Sequence, residues 1–270
     1  MSERLYSETS GGGEPLVLLH GWAMNLRVFD GLRARLATRY AVTAVDLPGH
    51  GRSPDLPDLA PQRQLALLAS LVPYGATLVG WSLGGQLALQ LASDAALGVR
   101  RLALIASTPR FVRAEHWPHG LDAAIMRQFT NQLRRDPAKT VADFLDLQVR
   151  GGTDAIRVHA VLEQALQDNG HASAGALAAG LKLLEHNDLR ELARGIAIPA
   201  LVITGEHDRV TSPQAGRALS QLLPHSPLLE LKGAGHAVFL SHGEEVLTGL
   251  LALMRRDSAE YCVSEQRAVQ

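Results

Sequence analysis

The residues Gly80-Trp81-Ser82-Leu83-Gly84-Gly85 set a serine between glycines two positions before and two positions after it. A compact apolar run, Thr77–Trp81, precedes the serine, and a stretch of helical period, Leu83–Ser93, follows it. A sharp turn from strand to helix forces its central residue into a strained conformation and lifts the side chain clear of the sheet. The helix that follows points free N–H groups at the same spot, which favours negative charge beside the serine oxygen. Without those flanks the same letters would be an ordinary Gly/Ser turn.

A serine hydroxyl needs a base to take its proton. Of the eleven histidines, His236 lies in Lys232-Gly233-Ala234-Gly235-His236, directly after the apolar run Pro227–Leu231. A histidine on a glycine-rich loop beyond the last strand can reach over the carboxyl edge of a sheet, where open α/β sheets build their sites. His207 and His242 compete for the role from charged, surface-like surroundings, and His20 is read as ordering the loop after the first strand. The base in turn needs a carboxylate to hold its tautomer. In Thr204-Gly205-Glu206-His207-Asp208-Arg209-Val210 the choice is Asp208, with Glu206 as competitor. A plainer reading of Asp208 is a cap for a helix starting near Pro213. An oxyanion would rest on the backbone N–H of Leu83 and on that of Trp22, in His20-Gly21-Trp22, where glycine permits close approach.

These residues demand a scaffold that brings strand ends together. Short apolar runs at Leu16–His20, Ala41–Asp46, Thr77–Trp81, Arg101–Ala106 and Ala200–Thr204 each end in a turn residue. Runs apolar along most of their length suit strands covered on both faces, hence a parallel sheet. Leu26–Arg39, Asp58–Val72 and Leu83–Ser93 are long enough for crossover helices. After Pro109 the alternation stops, and helical patterns alone run to about Asp188: Asp122–Arg135, Ala138–Arg150, Asp154–Gln167 and Ser173–His186. Strand signals resume at Ile198 and Leu228. The expectation is an α/β protein, a mostly parallel central sheet flanked by helices with an inserted helical cap. Its core would span 1–109 and 188–256, its cap 110–187, and a polar, loosely ordered tail 257–270.

Composition narrows the function classes. With 270 residues, 46% apolar and 20% charged, the chain can bury a sizeable core and is not disordered. A formal charge of −1 gives no basic excess for general nucleic-acid binding. The lone cysteine, Cys262, excludes an internal disulfide and a cysteine-rich metal site. The first fifteen residues hold no apolar run, and no stretch approaches the ~18 apolar residues of a membrane span. A soluble cytoplasmic protein without membrane or nucleic-acid partners is expected.

The ordered motifs HGW (20–22), DLPGHGRS (46–53), GWSLGG (80–85), GEHD (205–208) and GAGH (233–236) resemble the α/β-hydrolase superfamily over nearly the whole chain. Within it the chain is similar to the pimeloyl-[acyl-carrier protein] methyl ester esterases of biotin synthesis. LVLLHGW (16–22), VDLPGHGRS (45–53), IASTPRF (105–111), Trp117-Pro118 and KTVADFLDLQ (139–148) carry that finer likeness. The resemblance implies a serine esterase with no metal or organic cofactor and a catalytic set of Ser82, Asp208 and His236. It further implies a substrate site lined by Trp22, Ser82, Leu83, Phe144, Leu145, Asp146, Leu147, Gln148 and His236. For Phe144 and Leu147 the plainer reading is packing of a cap helix. The implied substrate is a small-molecule or carrier-bound ester, and the implied partner an acidic acyl-carrier protein docked on cap arginines. The corresponding helix carries Lys139 but Asp143, and the basic residues that the family's docking would put at Ile156 and Ala160 are absent, although Arg157 is adjacent. Residues 110–157 nevertheless hold eight basic against six acidic residues. The alternatives that share this fold are a generalist carboxylesterase, a thioesterase, a carbon–carbon hydrolase or a lyase. A non-catalytic binding protein is the alternative from another class.

Overall fold

The computed structural model describes residues 3–56, 58–224 and 226–256. Among these described residues seven strands form one sheet: β1 (Ser7–Ser10), β2 (Pro15–Leu19), β3 (Ala41–Val45), β4 (Thr77–Trp81), β5 (Arg101–Ile105), β6 (Ala200–Gly205) and β7 (Leu228–Leu231). Their spatial order is β1-β3-β2-β4-β5-β6-β7, and every neighbouring pair is parallel except β1 with β3. The helices are α1 (Asp30–Leu36), α2 (Pro61–Ala69), α3 (Leu83–Ala92), α4 (Ala123–Arg135), α5 (Pro137–Val149), α6 (Ala155–Asn169), α7 (Ala174–His186), α8 (Arg190–Arg194), α9 (Pro213–Leu222), α10 (Val238–Ser241) and α11 (Gly243–Met254).

Successive side chains of a strand point to opposite faces, so a strand buried on both sides must be apolar at consecutive positions. β2 illustrates this: Val17 and Leu19 join one core cluster, whereas Leu16 and Leu18 join the other. The first cluster packs under α3, the second under α1 and α11. That two-sided burial is why the apolar runs were legible as strands.

β1 was not. Its residues, Ser-Glu-Thr-Ser, carry no apolar signal, yet they pair with β3 from Ser7 opposite Val45 to Ser10 opposite Val42. An edge strand has only one neighbour to satisfy, and polar side chains there discourage pairing with other molecules. Glu8 ties this edge to Arg27 and Arg33. Two other expectations shift. The stretch Leu26–Arg39 opens as a tight 3-10 turn at Leu26–Phe29, capped by the Asn25 side chain, before α1 begins. Residues following Pro109 are not helical at once: isolated bridges join Val112 to Leu121 and Ala114 to Trp117. The Trp117 indole N–H, donating to the Arg110 carbonyl at 2.8 Å, closes that loop.

Between β5 and β6 the helices α4 to α7 stack in sequence, α4 against α5 and α7, and α5 against α6. α6 rests on the 3-10 turn after β2. Polar contacts fasten this layer to the sheet: the Asn169 amide donates to Asp46 at 2.7 Å and the Asn25 amide to the Ala165 carbonyl at 2.8 Å. The tail expected at 257–270 lies outside the described residues.

Candidate active site

Ser82 stands between β4 and α3 with φ 56° and ψ −117°. A non-glycine residue pays about 1–3 kcal/mol for such a conformation and holds it only where its surroundings enforce it. Here the Ser82 N–H donates to the Ile105 carbonyl at 2.9 Å, and the Ser82 carbonyl accepts from Ser107 Oγ at 2.8 Å. The glycines answer to space. A side chain on Gly80 would run into the Gly84 backbone, and one on Gly84 into the carbonyls of Leu19 and His20.

His236 Nδ1 lies 2.8 Å from Asp208 Oδ2, both side chains fully buried. An ionised carboxylate only accepts, so Nδ1 carries the proton and Nε2 is left as an acceptor. That Nε2 is buried and has no hydrogen-bond partner among the described residues. The backbone of His236 is pinned on both sides. Its N–H donates to the Gln148 carbonyl at 2.9 Å, and its carbonyl accepts the Trp81 indole N–H at 3.1 Å. Asp208 Oδ1 takes the N–H groups of Val210 and Thr211, and Oδ2 the Thr211 hydroxyl. It does not cap the next helix; Ser212 does, accepting from Ala215. Glu206 holds the Gly233 N–H instead, His207 lies against the Gly151 carbonyl, and His242 against Ser241. None of the three competitors joins the Asp208–His236 pair.

The loop after β2 brings Gly21 against Ser82, where a Cβ would sit 3.2 Å from that of the serine. His20 orders the loop: Nδ1 donates to the Gly21 carbonyl, and Nε2 accepts the Leu47 N–H at 3.0 Å. Burial holds its imidazole down at about 4, so it stays neutral at physiological pH. The Trp22 N–H donates to no backbone carbonyl among the described residues. The Leu83 N–H opens α3, in the first turn, where a helix offers no internal acceptor.

A cavity reaches Ser82, with about 570 Å³ of space between atoms when it is counted out to its open mouth. Trp22, Phe129 and Phe144 form an aromatic wall, with ring centroids 5.0 to 6.1 Å apart. The Trp22 indole is fixed by the Leu177 carbonyl at 2.9 Å. Of the stretch 144–148, Phe144 and Leu147 line this cavity, one helical turn apart. Leu145 and Asp146 do not, and the expectation is corrected there. Leu145 packs into the second core cluster, and Asp146 turns to solvent beside His159. Gln148, Leu83 and His236 are buried around the site without lining the cavity itself. Sequence reasoning missed Phe111, Met126, Phe129, Leu181, Leu184 and Arg209 as lining residues. The Met126 and Phe129 spacing was a visible apolar stripe, but a stripe does not say whether it meets core or cavity.

A family model described as the alpha/beta hydrolase fold matches residues 14–243. The chain belongs to this family. It is 39% identical to a pimeloyl-[acyl-carrier protein] methyl ester esterase of Nitrosomonas europaea, over 92% of this chain and 99% of the relative. An esterase of the same name from Stenotrophomonas maltophilia is 42% identical over 91% and 95%. Among solved structures, an esterase from Exiguobacterium antarcticum superposes with a TM-score of 0.83 at 23% identity, covering 93% of this chain and 96% of that one. An enol-lactonase from Burkholderia xenovorans superposes with a TM-score of 0.78 at 24% identity, covering 93% and 96%. Those two likenesses speak to the fold.

The charges of this α/β hydrolase are unevenly available. On α5, Lys139 is neutralised by Asp143 at 2.8 Å, and Arg157 of α6 is held by Asp154. On α4, Arg127 and Arg135 are exposed, border a shallow polar depression with Gln128 and Asn131, and form no ion pair among the described residues. Among the described residues no helix is long and apolar enough to cross a membrane, and no cluster of three metal-ligating side chains occurs.

Proposed function

We propose that this chain is a serine carboxylic-ester hydrolase that removes the methyl group from pimeloyl-[acyl-carrier protein] methyl ester in biotin synthesis. The observation that carries the chemistry is the buried Asp208–His236 pair, whose free Nε2 is an acceptor in want of a proton. The Ser82 hydroxyl gives its proton to His236 Nε2 as Oγ bonds to the ester carbonyl carbon. The resulting oxyanion accepts the N–H groups of Trp22 and Leu83. Collapse breaks the bond to the methoxy oxygen, which leaves as methanol with the proton from Nε2. Water then attacks the acyl-enzyme by the same route and releases the acid. Asp208 exchanges no proton in either half-reaction. The balance needs water alone.

The apolar wall of Phe111, Met126, Phe129, Phe144 and Leu181 suits an alkyl chain in extended form. In this reading residues 110–187 act as a cap over the core formed by 1–109 and 188–256. The exposed, unpaired arginines of α4 would steer the acidic carrier, a role that the neutralised Lys139 and Arg157 serve less well. The enzyme is accordingly read as cytoplasmic.

The test compares methyl pimeloyl-carrier protein with p-nitrophenyl butyrate. Ser82→Ala should abolish both activities, by on the order of 10⁴-fold or more, in a protein of unchanged thermal midpoint. Screening lengths fall from ~10 Å at 0.1 M salt to ~3 Å at 1 M. Added salt should therefore depress kcat/KM for the carrier-bound ester far more than for the small one. Joint reversal of Arg127, Arg134 and Arg135 to glutamate should do the same at low salt. Equal salt dependence would leave a generalist esterase as the better reading.

A further inference from the structure

Among the described residues, Arg209 is the one charged side chain lining the otherwise apolar cavity at Ser82. It is exposed, as is Ile125 at 52%, so these two mark where the cavity meets solvent. Its backbone is set by the turn that fixes the acid: the Asp208 N–H donates to the Gly205 carbonyl, and the Val210 N–H donates to Asp208 Oδ1 at 2.8 Å. The neighbouring acids are engaged elsewhere, Asp208 with His236 and Glu206 with the Gly233 N–H. Arg209 forms no ion pair or side-chain hydrogen bond among the described residues. It also borders a shallow depression shared with Glu206, His207 and Ser212, on the other side of the same turn. A guanidinium left unpaired at the rim of an apolar cavity is suited to a bidentate anion, because a carboxylate or phosphate there exchanges weakly screened water contacts for two charge-assisted hydrogen bonds.

We infer that Arg209 is a specificity-determining residue that selects esters whose far end carries an anion, a carboxylate or a phosphate, at the cavity mouth. The inference rests on the esterase reading of Ser82, since it concerns which esters that serine receives. It gives the site a second recognition point that the apolar wall lacks. The neutral alkyl chain is held by Phe129 and Phe144, and its charged terminus is read by Arg209.

Methyl pentanoate, monomethyl adipate, the methyl ester of an ω-phosphonooxy hexanoic acid and that of ω-aminohexanoic acid serve as probes for wild type, Arg209→Gln, Arg209→Lys and Arg209→Glu. The readout is the ratio of kcat/KM for each charged ester to that for the neutral ester within one variant. Wild type should favour at least one of the anionic esters over the neutral one by about tenfold. Arg209→Gln should bring that ratio near one, Arg209→Lys should restore part of it, and Arg209→Glu should favour the amino ester. A preference for the phosphate ester alone identifies phosphate as the ligand, and a preference for both identifies anions in general. The same ratios in wild type and Arg209→Gln, with all esters hydrolysed, overturn the role of Arg209 and leave the esterase standing. No hydrolysis of any ester overturns both.

Discussion

Replacing Asp208 by asparagine tests the catalytic reading at its most sensitive atom. Oδ1 of Asp208 faces two backbone donors, the N–H groups of Val210 at 2.8 Å and Thr211 at 2.9 Å. An amide that kept its oxygen there would have to put its NH₂ where Oδ2 now receives His236 Nδ1 and the Thr211 hydroxyl. The opposite orientation would press an NH₂ against two N–H groups, so it is excluded on donor counting. The Thr211 hydroxyl can rotate to accept, but the imidazole cannot adjust so cheaply. Nδ1 must become the acceptor, the proton moves to Nε2, and Nε2 can no longer take the Ser82 proton. The substitution therefore leaves shape and packing nearly intact while installing the wrong tautomer. A loss of about 10⁴ in kcat is expected, about 5.5 kcal/mol of transition-state stabilisation. Turnover of p-nitrophenyl butyrate, with folding checked by circular dichroism, measures it. Glu206→Gln is the control. Its half-exposed carboxylate accepts the Gly233 N–H, which an amide oxygen can do as well, and lies 3.8 Å from the exposed His207 Nε2, so a change within about twofold is expected. A loss below tenfold in Asp208→Asn, or a larger loss in Glu206→Gln, would refute the reasoning.

Acid should weaken the fold in a window set by two buried histidines, His20 after β2 and His50 after β3. Burial lowers His20 to about 4, and burial followed by the charge of His20 lowers His50 to about 3. The unfolded chain binds protons below about 6.5 and the folded one does not, so their contribution is complete above that pH. It is lost as pH falls from 6.5 toward 4 and 3, on the order of 2 kcal/mol per histidine by about pH 5. Asp46, pushed up by burial, offsets part of this as it gains a proton. Glu8 and Asp188, both held near 2, lose their share only below the ordinary carboxylate range. A urea midpoint that stays flat between about pH 7 and pH 5 would contradict the assignment. In the second core, Leu250→Ala removes a fully buried side chain of α11 that does not line the cavity at Ser82. It should cost about 3 kcal/mol in denaturant unfolding while leaving turnover per folded molecule unchanged.

What could be read from the residues alone divides along a physical line. Where backbone geometry dictates residue type, the sequence carries the signal. Gly80 and Gly84 exist because carbonyls stand where their side chains would be, and Ser82 sits at a φ that its flanking strand and helix announce. Strands buried on both faces must be apolar at consecutive positions, so β2 to β6 were visible, while β1 satisfies its single neighbour with Ser-Glu-Thr-Ser and was not. The candidate acid Asp208 and candidate base His236 could be singled out because each follows a strand.

The cavity was legible only in part, because its lining is assembled from segments far apart in the chain. Phe129 and Phe144 come from two helices and Trp22 from the loop after β2, and only the tertiary packing makes one wall of them. The same α5 turn that aims Phe144 and Leu147 inward aims Leu145 into the core and Asp146 outward, since neighbours on a helix are about 100° apart. A contiguous stretch of five residues on a helix therefore cannot all line one cavity. Gln148 shows the complementary case. Its backbone carbonyl accepts the His236 N–H at 2.9 Å and ties the placement of that imidazole to α5. A carbonyl belongs to every residue, so no side-chain pattern could have disclosed it. The placement of His236 is thus coupled to α5, the helix that carries Phe144 and Leu147 into the cavity wall.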